Sequence, residues 1–273
     1  MNDHLPNLAA SSYLNSAPLI WSFTQGSRKG TVNLTDPVPS RCADLLAEGT
    51  VDAALIPVIE YQRIAGISLV PDVCVGSTGK VRSVVLVTRF KNLEDIRSVA
   101  LDESSRTSAT LIKIIFREFL DVEPKWMTSA PDVDQMLKDS DAALIIGDPA
   151  MTFARHELRI VDMASLWRQY TGLGFVFAVW AVRNSDVSRA GTIDFAGARD
   201  EGLEQIETIV SQYEKEIPLT RHELRDYLTG DITFHVDEPM KRGMQLYFDL
   251  AYKHGLIPEV KASNVLRDLR SEI

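Results

Sequence analysis

Short apolar runs alternate with longer stretches in which apolar residues recur every three or four positions. The short runs predict strands and the longer stretches predict helices, so the order of elements is that of an α/β protein. The predicted strands lie in "NLAASSYL", "TVNLT", "DAALI", "SVVLVTR", "SVALD", "PKWMTS", "AALIIG" and "FVFAVWAVR". The predicted helices between them lie in "APLIWSF", "SRCADLLAEG", "PVIEYQRI", "TSATLIKIIF" and "DVDQMLKD".

After residue 183 the chain is almost purely helical. Two apolar stripes have the spacing of amphipathic helices that bury one face. They consist of Leu203, Ile206, Val210 and Tyr213, and of Met240, Met244, Tyr247 and Ala251.

Two of the predicted strands, at 83–89 and 175–183, are almost uninterrupted apolar runs. Such runs suit strands that are buried on both faces. The first would carry the chain from one α/β block into the other, and the second would bring it back. We therefore predict a two-lobed α/β fold with two crossover strands and a helical C-terminal tail. Lobe I would comprise residues 1–88 and 184–273, and lobe II residues 89–183, with the functional site in the cleft between them.

The stretch "DESSRTSATLIKIIF" (102–116) places four hydroxyl groups within five positions at the start of a predicted helix. The first turn of a helix has backbone N–H groups without partners, and the helix dipole adds partial positive charge there. Hydroxyls at this point can cap the helix, bind an anion, or do both. Both interpretations stay open for Ser104, Ser105, Thr107 and Ser108.

Three further predicted strands are each followed directly by the start of a predicted helix. Each of these starts contains a proline, which is well tolerated in the first helical turn. Ligands of open α/β sheets bind outside the carboxyl ends of the strands. A cleft ringed by helix N-termini from both lobes would suit a small anion. The three junctions are Asn15-Ser16 before Pro18, Ile56-Pro57, and Gly147-Asp148-Pro149.

Composition narrows the class of protein. A net charge of −9 without a basic run argues against a nucleic-acid partner. No segment has eighteen consecutive apolar residues, and "MNDHLPNLAASSYL" has no secretory signal pattern, so we expect a cytoplasmic protein without a membrane partner. Cys42 and Cys74 are too few for a disulfide framework. Nothing in the sequence indicates the oligomeric state.

Motifs for nucleotide, metal or esterase chemistry are missing. "GSTGK" (76–80) lacks the full glycine spacing of a phosphate loop, and neither G-x-S-x-G nor G-x-G-x-x-G occurs. A metal site is not predicted, because the histidines do not fall at zinc-ligand spacing. They are His4, His156, His222, His235 and His254.

A set of stretches resembles the futalosine-pathway chorismate dehydratases of menaquinone biosynthesis. The similarity runs in order over most of the chain and is specific as a set. It is carried by "SSYLNSAPL", "DAALIPVIEY", "KVRSVVL", "LDESSRTSATLIKIIF", "ALIIGDPAM", "DMASLWRQYTGLGFVFAVW" and "GMQLYFDLAYKHGLIP".

The resemblance implies a fold like that of the type II periplasmic binding proteins, in agreement with the two predicted lobes. It also implies a carbon–oxygen lyase that converts chorismate to 3-[(1-carboxyvinyl)oxy]benzoate by loss of water, without metal or organic cofactor. The sister enzyme that makes 1,4-dihydroxy-6-naphthoate shares this fold. It typically opens with a "SPCPNDTF"-like stretch, from which "SSYLNSAPL" departs.

A dianionic substrate that loses water needs carboxylate holders, polar contacts for the departing hydroxyl and a dry pocket. We predict that the hydroxyls of Ser105, Thr107 and Ser108 hold one carboxylate, with Gly147 beside them. Ser83 is either a second substrate contact or a hydroxyl bonded within its strand. Arg106, like Arg82, is either a residue that steers the dianion or an ordinary surface arginine.

The base is the least determined part of the site. Asn15 can hold the substrate and donate to the departing hydroxyl, but an amide is no base at neutral pH. Asp148 is either the base or the cap of the helix that begins at Pro149. Glu60 lies inside its predicted helix, and a carboxylate of chorismate itself is the third candidate.

Two other classes of function stay open beside the enzyme. A solute-binding protein for a small organic anion would share the fold, but a secretion signal and a lipobox cysteine are missing. A cytosolic ligand-sensing module would need an output segment, and no part of the chain is left over for one.

Overall fold

The computed structural model of the protein describes residues 5–154, 157–262 and 265–266. The described residues form ten strands and twelve α-helices. The strands are β1 (Asn7–Ala9), β2 (Asn33–Thr35), β3 (Ala53–Pro57), β4 (Ile67–Ser77), β5 (Val84–Thr88), β6 (Ser98–Asp102), β7 (Lys125–Ser129), β8 (Ala142–Ile146), β9 (Arg159–Asp162) and β10 (Phe175–Arg183). The helices are α1 (Ala17–Thr24), α2 (Pro39–Glu48), α3 (Glu60–Arg63), α4 (Thr107–Ile114), α5 (Val133–Asp139), α6 (Pro149–Thr152), α7 (Met163–Thr171), α8 (Val187–Ala190), α9 (Phe195–Glu204), α10 (Ile206–Tyr213), α11 (Arg221–Asp226) and α12 (Glu238–Lys253).

The strands form two sheets with the same pattern, and each sheet defines one lobe. The sheet of lobe I has the order β2-β1-β3-β10-β4, and the sheet of lobe II has the order β7-β6-β8-β5-β9. In each sheet the first three strands are parallel, and the fourth runs antiparallel to both of its neighbours. The fourth strand is β10 in lobe I and β5 in lobe II. Each lies next to a point where the chain crosses from one lobe to the other. The predicted two-lobed α/β fold is confirmed.

The strand pairing differs from the sequence-based boundaries at 88/89 and 183/184. Those boundaries leave β5 with lobe I and β10 with lobe II, whereas the pairing puts β5 in the lobe II sheet and β10 in the lobe I sheet. Every residue of β5 is buried, and most of β10 is too. A uniformly apolar strand carries no signal for which sheet it joins.

Two strands, β4 and β9, were not predicted. β4 is interrupted by two exposed residues, Pro71 and Asp72, and Asp72 adopts a φ of 51°. The register against β10 jumps there from Cys74 to Leu69, which is the signature of a bulge. The bulge breaks the apolar run that identifies a strand.

The helical tail packs against both lobes. α12 contacts β10 of lobe I and α4 of lobe II. The Tyr247 hydroxyl donates to the Thr107 carbonyl at 3.0 Å, and the Tyr227 hydroxyl donates to Ser83 Oγ at 2.6 Å. The tail therefore joins the lobes behind the cleft. Through the part of the chain that the structure describes, no helix is long and apolar enough to cross a membrane.

Candidate active site

A cleft lies between the lobes at the carboxyl ends of their parallel strands. Ser11 follows β1 and Pro57 ends β3 in lobe I, while Ser104 follows β6 and Gly147 follows β8 in lobe II. The cleft has a volume of about 570 Å³, its open mouth included.

Six of the eight predicted site residues line this cleft, and two do not. The six are Asn15, Ser105, Arg106, Thr107, Ser108 and Gly147. Ser83 and Asp148 are not among the residues that line it.

The hydroxyls at the start of α4 do not cap the helix. Arg106 occupies the N-cap position, and no side chain of the described residues accepts a hydrogen bond from the first turn. Ser104 Oγ instead donates to Asp102 Oδ1 at 2.6 Å, and Thr107 Oγ1 accepts from the Ile59 N–H at 3.4 Å. The capping interpretation of this stretch is therefore wrong. The first turn of α4 and its partial positive charge remain available to a ligand.

Ser105 is the most informative of these hydroxyls. The residue is 8% exposed, and its Oγ has no hydrogen-bond partner among the described residues. A buried hydroxyl without a partner costs roughly 1–3 kcal/mol. Ser105 lines the cleft, so a ligand atom bound there would satisfy it.

Arg106 bridges the mouth of the cleft. Its guanidinium pairs with Asp44 Oδ1 at 2.7 Å and with Glu60 Oε2 at 3.0 Å, and both carboxylates belong to lobe I. Burial lowers the pKa of Arg106, but the bonds and charges of the two carboxylates outweigh burial and raise it. The arginine is not a free surface side chain, and its charge is used to tie lobe II to lobe I. The carboxylate of Glu60, a candidate base, forms ion pairs with Arg106 and Arg63.

Asn15 lies in a 3₁₀ turn, Leu14–Ser16, that leads into α1. Its Oδ1 accepts from Ser16 Oγ at 3.0 Å. This bond directs the amide NH₂ group away from Ser16, and within the described residues no protein partner takes it. Because Asn15 also lines the cleft, its NH₂ group is a donor available to a substrate.

Asp148 neither lines the cleft nor caps α6. Its carboxylate accepts from the Leu14 N–H, at 3.1 Å to Oδ1 and 3.4 Å to Oδ2. Burial raises its pKa to about 6, although the Leu14 N–H opposes the rise. The cap interpretation is wrong, because the bond of this carboxylate goes to the other lobe.

Ser83 is fully buried, and its Oγ accepts from the Tyr227 hydroxyl. It is therefore not placed at the cleft, and its partner is in the helical tail rather than in its own strand. Arg82 likewise turns to the tail, where its guanidinium pairs with Asp231. A sequence contains no local signal for either partner, because both lie more than 140 residues away.

Several lining residues were missed in the sequence. Tyr13 lies two positions before Asn15, and its ring closes over Gly147, where an added Cβ would stand 2.7 Å from the ring. Gly147 has a φ of 67°, so glycine is required both for its backbone and for the approach of the ring. Burial raises the pKa of the Tyr13 phenol, as does the charge of Asp102, and the phenol stays protonated at neutral pH.

Much of the cleft lining is apolar. Leu55, Val75, Val84, Ile146 and Phe177 line it. The Phe177 ring packs edge-to-face on Phe175 with centroids 4.7 Å apart, which fixes its orientation.

The lining residues include no carboxylate, histidine or lysine among the described part of the chain. Over the same residues, no three His, Cys, Asp or Glu side chains come together as metal ligands. His4 and His156, two of the histidines considered in the sequence, lie outside the described residues.

The two lobes, the strand order and the cleft define a protein with the fold of periplasmic binding proteins. Two solved structures are similar over nearly the whole chain. The AF1704 protein of Archaeoglobus fulgidus has a TM-score of 0.73 and 16% identity, covering 94% of this chain and 100% of the other. The CA3427 gene product of Candida albicans, described as having the generic periplasmic binding protein fold, has a TM-score of 0.67 and 14% identity, covering 96% and 97%.

Sequence similarity gives the family. Residues 6–253 match the family model described as menaquinone biosynthesis. A chorismate dehydratase of Thermus thermophilus is 28% identical over 229 residues, which cover 77% of this chain and 83% of that protein. The chain belongs to the menaquinone biosynthesis family. The resemblance inferred from the sequence is thereby confirmed.

Proposed function

We propose that this protein is a chorismate dehydratase that removes water from chorismate to give 3-[(1-carboxyvinyl)oxy]benzoate. The family and the Thermus thermophilus relative support the proposal. The observation that carries it in the cleft is the uncapped start of α4, where the Ser105 hydroxyl has no partner among the described residues, in a cleft with much apolar lining. This arrangement complements a ring that bears carboxylates.

The proposed reaction consists of the removal of one proton and the departure of one hydroxyl group. The ring carbon that carries the enolpyruvyl ether loses a proton, and the neighbouring carbon loses its hydroxyl group. The electron pair of the broken C–H bond becomes the third double bond of the aromatic ring, and the proton and hydroxide leave as water. The ring carboxylate acidifies that C–H bond through the conjugated double bonds.

The α4 start holds one carboxylate in this proposal. Ser105, Thr107 and Ser108 line the cleft at the start of α4, where the helix dipole adds partial positive charge. Hydrogen bonds to a charged group contribute roughly 1.5–3 kcal/mol each. The contact fixes the ring against Phe177 and orients the reacting carbons.

Asn15 donates to the departing hydroxyl. Its NH₂ group lacks a protein partner in the described residues and lies on the cleft surface. A donor placed where negative charge develops lowers the barrier without reorganisation. Tyr13, whose raised pKa keeps the phenol protonated, is a second donor at the same end.

A carboxylate of the substrate takes the proton. No carboxylate, histidine or lysine lines the cleft among the described residues, and the two candidate bases, Asp148 and Glu60, are bonded to the Leu14 N–H and to arginines. The carbon that loses the proton carries the enolpyruvyl ether, so the carboxylate of this group can reach the proton within the substrate itself and then pass it to the departing hydroxide. This assignment also accounts for a cofactor-independent reaction.

The decisive test is incubation of purified, EDTA-treated protein with chorismate, followed by mass spectrometry. We expect a product lighter than chorismate by one water, with the ultraviolet spectrum of a substituted benzoate. Unchanged chorismate, or activity that returns only with added metal, would contradict the proposal. Tight binding without turnover would instead favour a binding protein for a small organic anion.

A further inference from the structure

Asp148 makes a contact between the lobes that its sequence position does not suggest. The residue follows β8 in lobe II, at the N-terminus of the short helix α6. Its carboxylate accepts a hydrogen bond from Leu14, which belongs to lobe I. No other acceptor for the Leu14 N–H occurs among the described residues.

Leu14 is the first residue of the turn that carries Asn15. The residue before it, Tyr13, has extended backbone and no side-chain cap for the turn. The first N–H of the turn is therefore satisfied from across the cleft by Asp148. Gly147, directly before Asp148, packs against the Tyr13 ring. The neighbouring residues 147 and 148 of lobe II therefore contact the neighbouring residues 13 and 14 of lobe I.

We propose that Asp148 is a positioning residue whose ionised carboxylate holds the Leu14–Ser16 turn across the cleft and thereby places the Asn15 amide. The effect on catalysis rests on the proposed dehydratase function, whereas the hold on the turn does not. Asp148 does not line the cleft and acts on the site through Leu14.

The strength of this contact depends on whether the Asp148 carboxyl group is ionised. Around the carboxylate lie Glu216 from the segment after α10 and the phenols of Tyr13, Tyr213 and Tyr227, and no cation among the described residues faces it. Burial, with Glu216 in support, raises its pKa to about 6, so the carboxylate takes a proton under mildly acidic conditions. A protonated carboxyl accepts a weaker bond from the Leu14 N–H than a carboxylate does. The turn would loosen as the pH falls through this range.

Asp148→Asn tests the proposal, because the amide keeps an acceptor for Leu14 but cannot ionise. We expect wild-type kcat to fall on the acid side with a midpoint near pH 6. The variant should lack this acid limb and have a pH-independent kcat about tenfold below the wild-type plateau, with KM changed little. This loss corresponds to about 1.4 kcal/mol, as when a charged acceptor is replaced by a neutral one.

Two outcomes of this experiment would overturn the proposal. A loss of roughly a hundredfold to ten-thousandfold with chorismate still bound would identify Asp148 as the base itself. An acid limb that is unchanged in the variant would show that Asp148 has no part in the pH dependence. Asp141→Asn is the matched control, since Asp141 accepts from the Arg97 and Ser98 N–H groups outside the cleft and should leave kcat unchanged.

A second measurement is independent of turnover. In the wild-type protein without ligand, the Leu14 amide proton, followed by NMR, should change its chemical shift with a midpoint near pH 6. The same signal should not titrate in Asp148→Asn. A Leu14 signal that is insensitive to pH in the wild type would contradict the hold on the turn. Inactivity of the wild type on chorismate would contradict only the proposed function.

Discussion

Replacing Asp148 by asparagine should stabilise the protein at neutral pH, even though the residue supports the site. Burial raises the Asp148 pKa from 3.8 to about 6. Because one pKa unit corresponds to about 1.36 kcal/mol, the ionised side chain costs about 3 kcal/mol of folding free energy above pH 6. The folded state binds this proton more tightly than the unfolded chain does. The wild type therefore loses stability as the pH rises from about 4 to about 6, and the loss is complete above that range.

The asparagine variant cannot ionise, so its advantage over the wild type should grow with pH. We expect a difference of about 1 kcal/mol near pH 4.5 and about 3 kcal/mol near pH 7.5, measured by urea unfolding. Asp141→Asn controls for the removal of one negative charge from a chain with a net charge of −9. A variant that is no more stable than the wild type near pH 7.5, or a difference that is the same at both pH values, would refute the reasoning.

Three further substitutions test the cleft. Ser105→Ala removes a hydroxyl without a protein partner among the described residues, so stability should not fall while the chorismate KM rises about tenfold to a hundredfold; an unchanged KM would contradict the carboxylate contact. Asn15→Ala and Asn15→Asp should both fold and lose kcat about a hundredfold or more, and near-normal turnover by Asn15→Asp would remove the donor role. Gly147→Ala should lower the free energy of unfolding, measured with urea, by about 1–2 kcal/mol, because the backbone has a φ of 67°. The added methyl group should also displace the Tyr13 ring, and a variant of wild-type stability would contradict this.

Elements with a clean local pattern could be predicted from the sequence. The boundaries of β6 and β10 coincide with the predicted runs at 98–102 and 175–183. The helix that follows β6 begins among the predicted hydroxyls. β4 could not be predicted, because its bulge around Asp72 interrupts the apolar run. The sheet to which β5 and β10 belong depends on pairing between distant segments, which no local pattern contains.

The candidate site shows the same division between local and distant information. Hydroxyl density identified the start of α4, and the strand–helix junctions identified Asn15 and Gly147 as residues near the cleft. The partners of Ser83, Arg106 and Asp148 come from other lobes or from the tail, so their roles could not be read from neighbouring residues. Phe177 was hidden because it lies within a uniformly apolar strand.

Turnover of chorismate by the wild type and by Asn15→Ala, assayed side by side with mass detection of the product, tests the central claim most directly. We predict that the EDTA-treated wild type forms a product lighter by one water, and that the folded Asn15→Ala variant forms it at least about a hundredfold more slowly. Chorismate left unchanged by the wild type, or converted equally fast by both proteins, would contradict a dehydratase site in this cleft.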